Sequence, residues 1–124
     1  VGFSQGANVV HNFSADLTAA QARRVAVVAM IADPVKNPAD SIRTWSYSTK
    51  TPGPGKFGAG ALMGKHVRDK AITFCVAKDE ICNRPADGGP ASPSSTHRHF
   101  YERATSARSA GRQLDAMLRR SGVG

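Results

Sequence analysis

Val25-Ala26-Val27-Val28-Ala29-Met30-Ile31-Ala32 is an unbroken apolar run, closed by Asp33-Pro34. It is far too short to span a bilayer, whose core takes about 20 apolar residues as a helix. Its valines favour a strand, because a branched Cβ is stiff in a helix and packs well on a pleated surface. No polar residue alternates with the apolar ones, so both faces of the strand must be covered by protein. Strands of that kind belong to parallel sheets flanked by helices. Ala71-Ile72-Thr73-Phe74-Cys75 is a second, shorter segment of the same character. The expected class is therefore α/β with parallel pairing.

Helices and loops are expected around these strands. A helix is expected from about Gln5 to Phe13, with Ala7, Val9 and Val10 as its apolar positions. Asp16 to Arg24 reads as a loop or short helix. Lys36 to Gly64 is punctuated by Pro38, Pro52, Gly53, Pro54, Gly55, Gly58 and Gly60, and reads as a long surface excursion. Asn83 to Thr96 is a second turn-rich loop. The last helix is expected to place Phe100, Ala107, Gly111, Leu114 and Leu118 on one face, to line Arg108, Arg112 and Arg119 on another, and to end at Gly122 and Gly124. Two strands do not make a stable sheet of this kind, so further strands are expected to complete it.

At 124 residues, with 40% hydrophobic and 21% charged residues, the chain has room for one globular domain. Its first residues do not read as a signal peptide, since no basic segment precedes an apolar core. The net charge of +8 admits an anionic partner such as nucleic acid, acidic polysaccharide or a membrane surface.

Gly2-Phe3-Ser4-Gln5-Gly6 fits G-x-S-x-G at the start of the expected helix. The spacing suits a serine on a sharp strand-to-helix turn. Glycines two residues to either side let the neighbouring backbone approach without a Cβ clash. The Gln5 N–H, at the helix start, is then placed to donate to an oxyanion. Cys75 and Cys82 bracket a loop after the second strand; they either close a small disulfide loop or remain buried thiols. Zinc is disfavoured, because structural sites use closer Cys spacing and four ligands, which His97 and His99 would have to complete. No metal and no organic cofactor is expected. Asp79, on that loop, is placed to orient a histidine. His97 and His99 precede the last helix, and one of them is the natural general base. His11 and His66 have no chemical neighbour in sequence and read as surface or packing residues. The order Ser, Asp, His is that of α/β-hydrolases.

These segments resemble the cutinase family of serine esterases. Gly2 to Ala7 is similar to the family's G-[YF]-S-Q-G-A elbow. Val27 to Pro34 resembles the strand that follows, which usually ends in Gly-Asp-Pro; here Ala32 replaces the glycine. Cys75 to Cys82 resembles the C-x₃-D-x₂-C loop, whose aspartate maps to Asp79. The family's histidine has an aromatic residue three positions on, which His97 matches with Phe100. His99 with Tyr101 fits that spacing less well, which leaves His99 as the fallback. The resemblance implies a three-layer α/β-hydrolase with Ser4, Asp79 and His97 as the triad. It also implies a Cys75–Cys82 disulfide, a secreted or envelope-associated enzyme, and an ester or lipid substrate. The Phe57-Gly58-Ala59-Gly60-Ala61 stretch is more like bacterial members. The cysteine loop favours the secreted branch over related phage esterases. A full member carries further strands and another oxyanion donor before its elbow. Residues 1–124 are therefore expected to be the C-terminal part of one domain, dependent on the remainder for activity.

Another class of function is a non-catalytic basic module. Arg103, Arg108, Arg112, Arg119 and Arg120 would then bind phosphate or acidic glycan. Basic residues opposite an apolar face are the ordinary pattern of a solvated helix, and no aromatic residues interleave with them. No nucleic-acid partner is expected. An inactive relative of the esterases is the third reading.

Overall fold

The computed structural model describes residues 1–87 and 94–122. Part of the expected loop Asn83–Thr96 and the terminal Gly124 therefore lie outside the described residues. The elements are β1 (Gly2–Phe3), α1 (Gln5–Ser14), α2 (Ala19–Ala22), β2 (Val28–Ile31), β3 (Arg43–Trp45), a 3₁₀ turn (Arg68–Lys70), β4 (Ala71–Phe74), α3 (Ser95–His99) and α4 (Ala104–Arg120). The strands form one four-stranded parallel sheet in the order β1-β2-β4-β3.

The apolar run is an inner strand. β2 pairs with β1 through Gly2↔Met30 and Phe3↔Ile31, and with β4 from Val28↔Ala71 to Ile31↔Phe74. Its alternate side chains enter two different cores. Val28 and Met30 join Ala7, Ala15, Leu17, Ala22, Met63 and Val67 on the α1 side. Ala29 joins Ile72, Phe74 and Met117 on the α4 side. Helices thus cover both faces, which is why no polar residue interrupts the strand.

The structure corrects three local expectations. Lys36–Gly64 is not only a surface excursion: it contributes edge strand β3, with Thr44↔Thr73 in register, and it buries Lys36, Thr51 and Met63. β3 has three residues, two of them exposed, in a segment rich in turn-formers, so no periodic pattern marks it. α4 begins at Ala104, and its inner stripe is Ser106, Ala110, Leu114 and Met117, with Ala107 and Gly111 exposed. A reason for this rotation is the Trp45 indole, which donates to Ser109 Oγ at 2.8 Å. That bond orients the helix, and small residues at 106 and 110 let it lie close to the sheet. Arg103, Arg108, Arg112, Arg119 and Arg120 are exposed, and Arg119 pairs with Asp115.

His11 is the third correction. It is buried, and it does have chemical partners: Nδ1 lies 2.5 Å from Asp33 Oδ2, and Nε2 lies 2.8 Å from Ala61 O. The carbonyl can only accept, so the imidazole ties α1 to the chain leaving β2 and to the glycine-rich segment. His66, by contrast, is exposed as expected. Ala32 adopts φ 56°, a left-handed conformation that glycine takes freely. For alanine this costs about 1 kcal/mol or somewhat more. The fully buried methyl packs with Cys75 and Cys82 and offsets part of that cost.

A Cβ on Gly2 would lie 2.3 Å from Gly6 O and 2.4 Å from Gly6 C, whereas one on Gly6 would meet nothing within 4 Å. Gly2→Ala is therefore expected to cost about 1–3 kcal/mol or more through overpacking against backbone. Gly6→Ala is expected to be neutral or better; urea denaturation of the two variants measures the difference.

Stability is expected to vary with pH in two opposed steps. Burial works against charge on His11, but hydrogen bonds to Asp33 and Ala61 and the charges of Asp33 and Asp40 outweigh it, raising its pKa above 6.5. Its contribution is complete below that value and is lost as pH rises through the folded pKa. Lys36 has the opposite sign: burial lowers its pKa from 10.5 to about 8, and Asp33 opposes only part of this. The folded state disfavours the charged amine, so stability returns as pH climbs from about 8 towards 10.5. Urea midpoints should fall as pH rises past 6.5 and then recover, and His11→Asn should remove the first step. A flat wild-type profile would contradict both assignments.

Candidate active site

Ser4 stands between β1 and α1, at the carboxyl end of its strand. Its N–H donates to Ile31 O at 2.9 Å, extending the β1–β2 pairing by one residue. Its backbone then turns to φ 55°, ψ −115°, a strained conformation for a residue with a side chain. Ser4 is the N-cap of α1, yet its side chain makes no capping bond. The hydroxyl instead meets His97 Nε2 at 3.0 Å. The glycine requirement read from the motif holds at Gly2 and not at Gly6.

Asp79 sits in the turn after β4 and is completely buried. Backbone bonds from Asp79 N to Val76 O and from Asn83 N to Asp79 O shape this turn. Cys75 and Cys82 are joined by a disulfide that closes it. With both sulfurs bonded to each other, the thiol and zinc alternatives fall away. The carboxylate accepts from Ile81 N on Oδ1 at 3.0 Å and from Tyr101 Oη on Oδ2 at 2.8 Å. His97 Nδ1 lies 3.0 Å from both oxygens.

His97 is on α3 rather than on a loop. Ser94 caps that helix, accepting from His97 N at 3.2 Å. The imidazole is 5% exposed and is covered by Phe3, whose ring stacks on it at 5.2 Å and 20°. A carboxylate on one side requires the proton on Nδ1, which leaves Nε2 to accept from the Ser4 hydroxyl. His99 is not part of this group: it is exposed and pairs with Glu102 at 2.9 Å. Gln5 is the first residue of α1, so by position its N–H is one of the helix's unpaired donors.

The structure therefore brings Ser4, His97 and Asp79 into one hydrogen-bonded line. Such a line can draw a proton from a hydroxyl and hold it on an oriented imidazole. Two further residues at the site carry no role in the sequence reading. Phe3 occupies the variable position of the G-x-S-x-G motif, and Tyr101 enters only as a spacing partner of His99. An aromatic four residues beyond a histidine next to a helix is a weak sign, and nothing local shows that it reaches Asp79. Burial, and then the charge of Asp79, push the Tyr101 phenol well above its usual pKa, so it remains a donor. A cleft of about 260 Å³ opens beside Phe3, lined by Ile31, Arg98, Tyr101 and Glu102. A separate cavity of about 200 Å³ is lined by His11, Asp33, Lys36, Thr51 and Thr73, and its walls include neither Ser4 nor His97.

Among the described residues no helix is long and apolar enough to cross a membrane. A search of curated proteins and of solved structures gives no significant match to this chain. The family model described as Cutinase matches residues 1–110. That family has the α/β-hydrolase fold, with which the small all-parallel sheet between helices agrees, and its members have esterase-type activity in general. By that match over most of its length, the chain belongs to the cutinase family.

Proposed function

We propose that the chain carries the nucleophile, base and acid of a serine carboxylic ester hydrolase acting on lipid or polyester esters. The observation that carries the reading is the line Ser4 Oγ–His97 Nε2, His97 Nδ1–Asp79, with distances of 3.0 Å throughout. Ser4 attacks the ester carbonyl while His97 takes its proton. Asp79 holds the imidazole and stabilises the imidazolium that forms. The Gln5 N–H donates to the tetrahedral oxyanion. His97 returns the proton to the leaving alcohol, and water then releases the acid by the reverse sequence. The half-exposed Phe3 gives the site an apolar wall suited to an acyl chain.

The disulfide next to the acid supports a secreted or envelope location, since such bonds persist in oxidising compartments. Residues 1–124 are read as part of one cutinase-like domain, with the elbow near their start.

The test is hydrolysis of p-nitrophenyl butyrate. Ser4→Ala is expected to lower kcat by about 10⁶-fold, and Asp79→Asn by about 10⁴-fold. Turnover unaffected by Ser4→Ala would sink the assignment.

A further inference from the structure

We propose that Tyr101 is a positioning residue for the site: its hydroxyl holds the Asp79 carboxylate in the attitude that centres it on His97. This rests on the esterase reading above. It adds a fourth side chain to the machinery, one that touches neither Ser4 nor the His97 nitrogens that the reaction uses.

The key observation is the symmetry at Asp79. His97 Nδ1 is equidistant from the two carboxylate oxygens, at 3.0 Å. A shared bond of this kind persists only if the two oxygens are similarly satisfied elsewhere. Ile81 N satisfies Oδ1 at 3.0 Å, and Tyr101 Oη satisfies Oδ2 at 2.8 Å. The first donor is a backbone N–H inside the disulfide-closed loop, which any side-chain substitution other than proline leaves in place. The second is a single hydroxyl. Without it, Oδ2 becomes the stronger acceptor and draws the imidazole N–H to one side. The ring then tilts, and Nε2 moves relative to Ser4 Oγ.

Tyr101 is itself held. Its oxygen accepts from Val76 N at 3.2 Å and lies 3.6 Å from Cys82 Sγ. Its ring meets Phe3 at 6.0 Å, Phe100 at 5.5 Å and Tyr47 at 6.3 Å. Phe3 in turn lies on the His97 ring. The same tyrosine thus braces the acid through its hydroxyl and the base through the aromatic stack.

Tyr101→Phe keeps the ring packing and removes only the hydroxyl. A hydrogen bond to a charged group is worth about 10-fold to 100-fold, so kcat on p-nitrophenyl butyrate should fall within that range while KM stays within about twofold. With less of its charge shared, Asp79 should hold the imidazolium proton to higher pH, which moves the acid limb of the rate profile upward. The downfield proton resonance of His97 Nδ1–H, observed by NMR without substrate, should shift in the variant. Tyr47→Phe removes the hydroxyl of a neighbouring ring that is not among the groups bonded to the Asp79 carboxylate, and should change none of these. An unmoved acid limb and resonance, or a change confined to KM, would overturn the proposal. Its failure is distinct from failure of the esterase reading: Ser4→Ala turnover decides the latter, and the resonance reports the hold on Asp79 without turnover.

Discussion

Three backbone hydrogen bonds lie in a row across the carboxyl ends of the strands. Ser4 N–H donates to Ile31 O, Ala32 N–H to Phe74 O and Cys75 N–H to Trp45 O, at 2.9, 2.9 and 3.1 Å. Each extends a strand pairing by one residue and fixes where the chain leaves the sheet. At Ser4 and Ala32 it leaves through positive φ, 55° and 56°, and so turns sharply away from the strand direction. Because the strands are parallel, these exits share one edge, and both Ser4 and the loop bearing Asp79 start from it. A slip of β2 by one residue would remove the Ser4 anchor and exchange the two faces of the strand.

Two buried histidine–aspartate pairs show how the second partner decides what an imidazole does. Both His11 and His97 present Nδ1 to a carboxylate. The other nitrogen of His11 meets the carbonyl of Ala61, which can only accept, so His11 when protonated donates on both sides and acts as a clamp. The other nitrogen of His97 meets the hydroxyl of Ser4, which has a proton to give. The same two residue types therefore hold two segments together in one place and poise a proton for transfer in the other.

Much of the site is legible in the amino-acid sequence. The elbow and the loop Cys75–Cys82 rest on short, fixed spacings, while the choice of His97 over His99 rests on the resemblance to the family. Such spacings survive folding because they describe a local turn. β3 is not legible, because three residues in a glycine- and proline-rich segment become a strand only when β4 offers an edge. The inner face of α4 differs from the expected one by a fraction of a turn. Its apolar pattern is weak, and the Trp45–Ser109 bond, formed across 64 residues, helps set its rotation. Nothing local distinguishes His11 from a surface residue, since Asp33 and Ala61 reach it only across the fold.

The sequence by itself determined that β2 must be covered on both faces, that the sheet is parallel, and that a serine stands on a glycine-bounded turn before a helix. These follow from side-chain branching, apolar continuity and the space a backbone needs, all of which are local. Only the tertiary structure decided which strands flank β2, what His11 binds, and that Tyr101 reaches Asp79. Those outcomes depend on hydrogen bonds between residues far apart in the chain, whose partners are selected by what burial leaves unsatisfied.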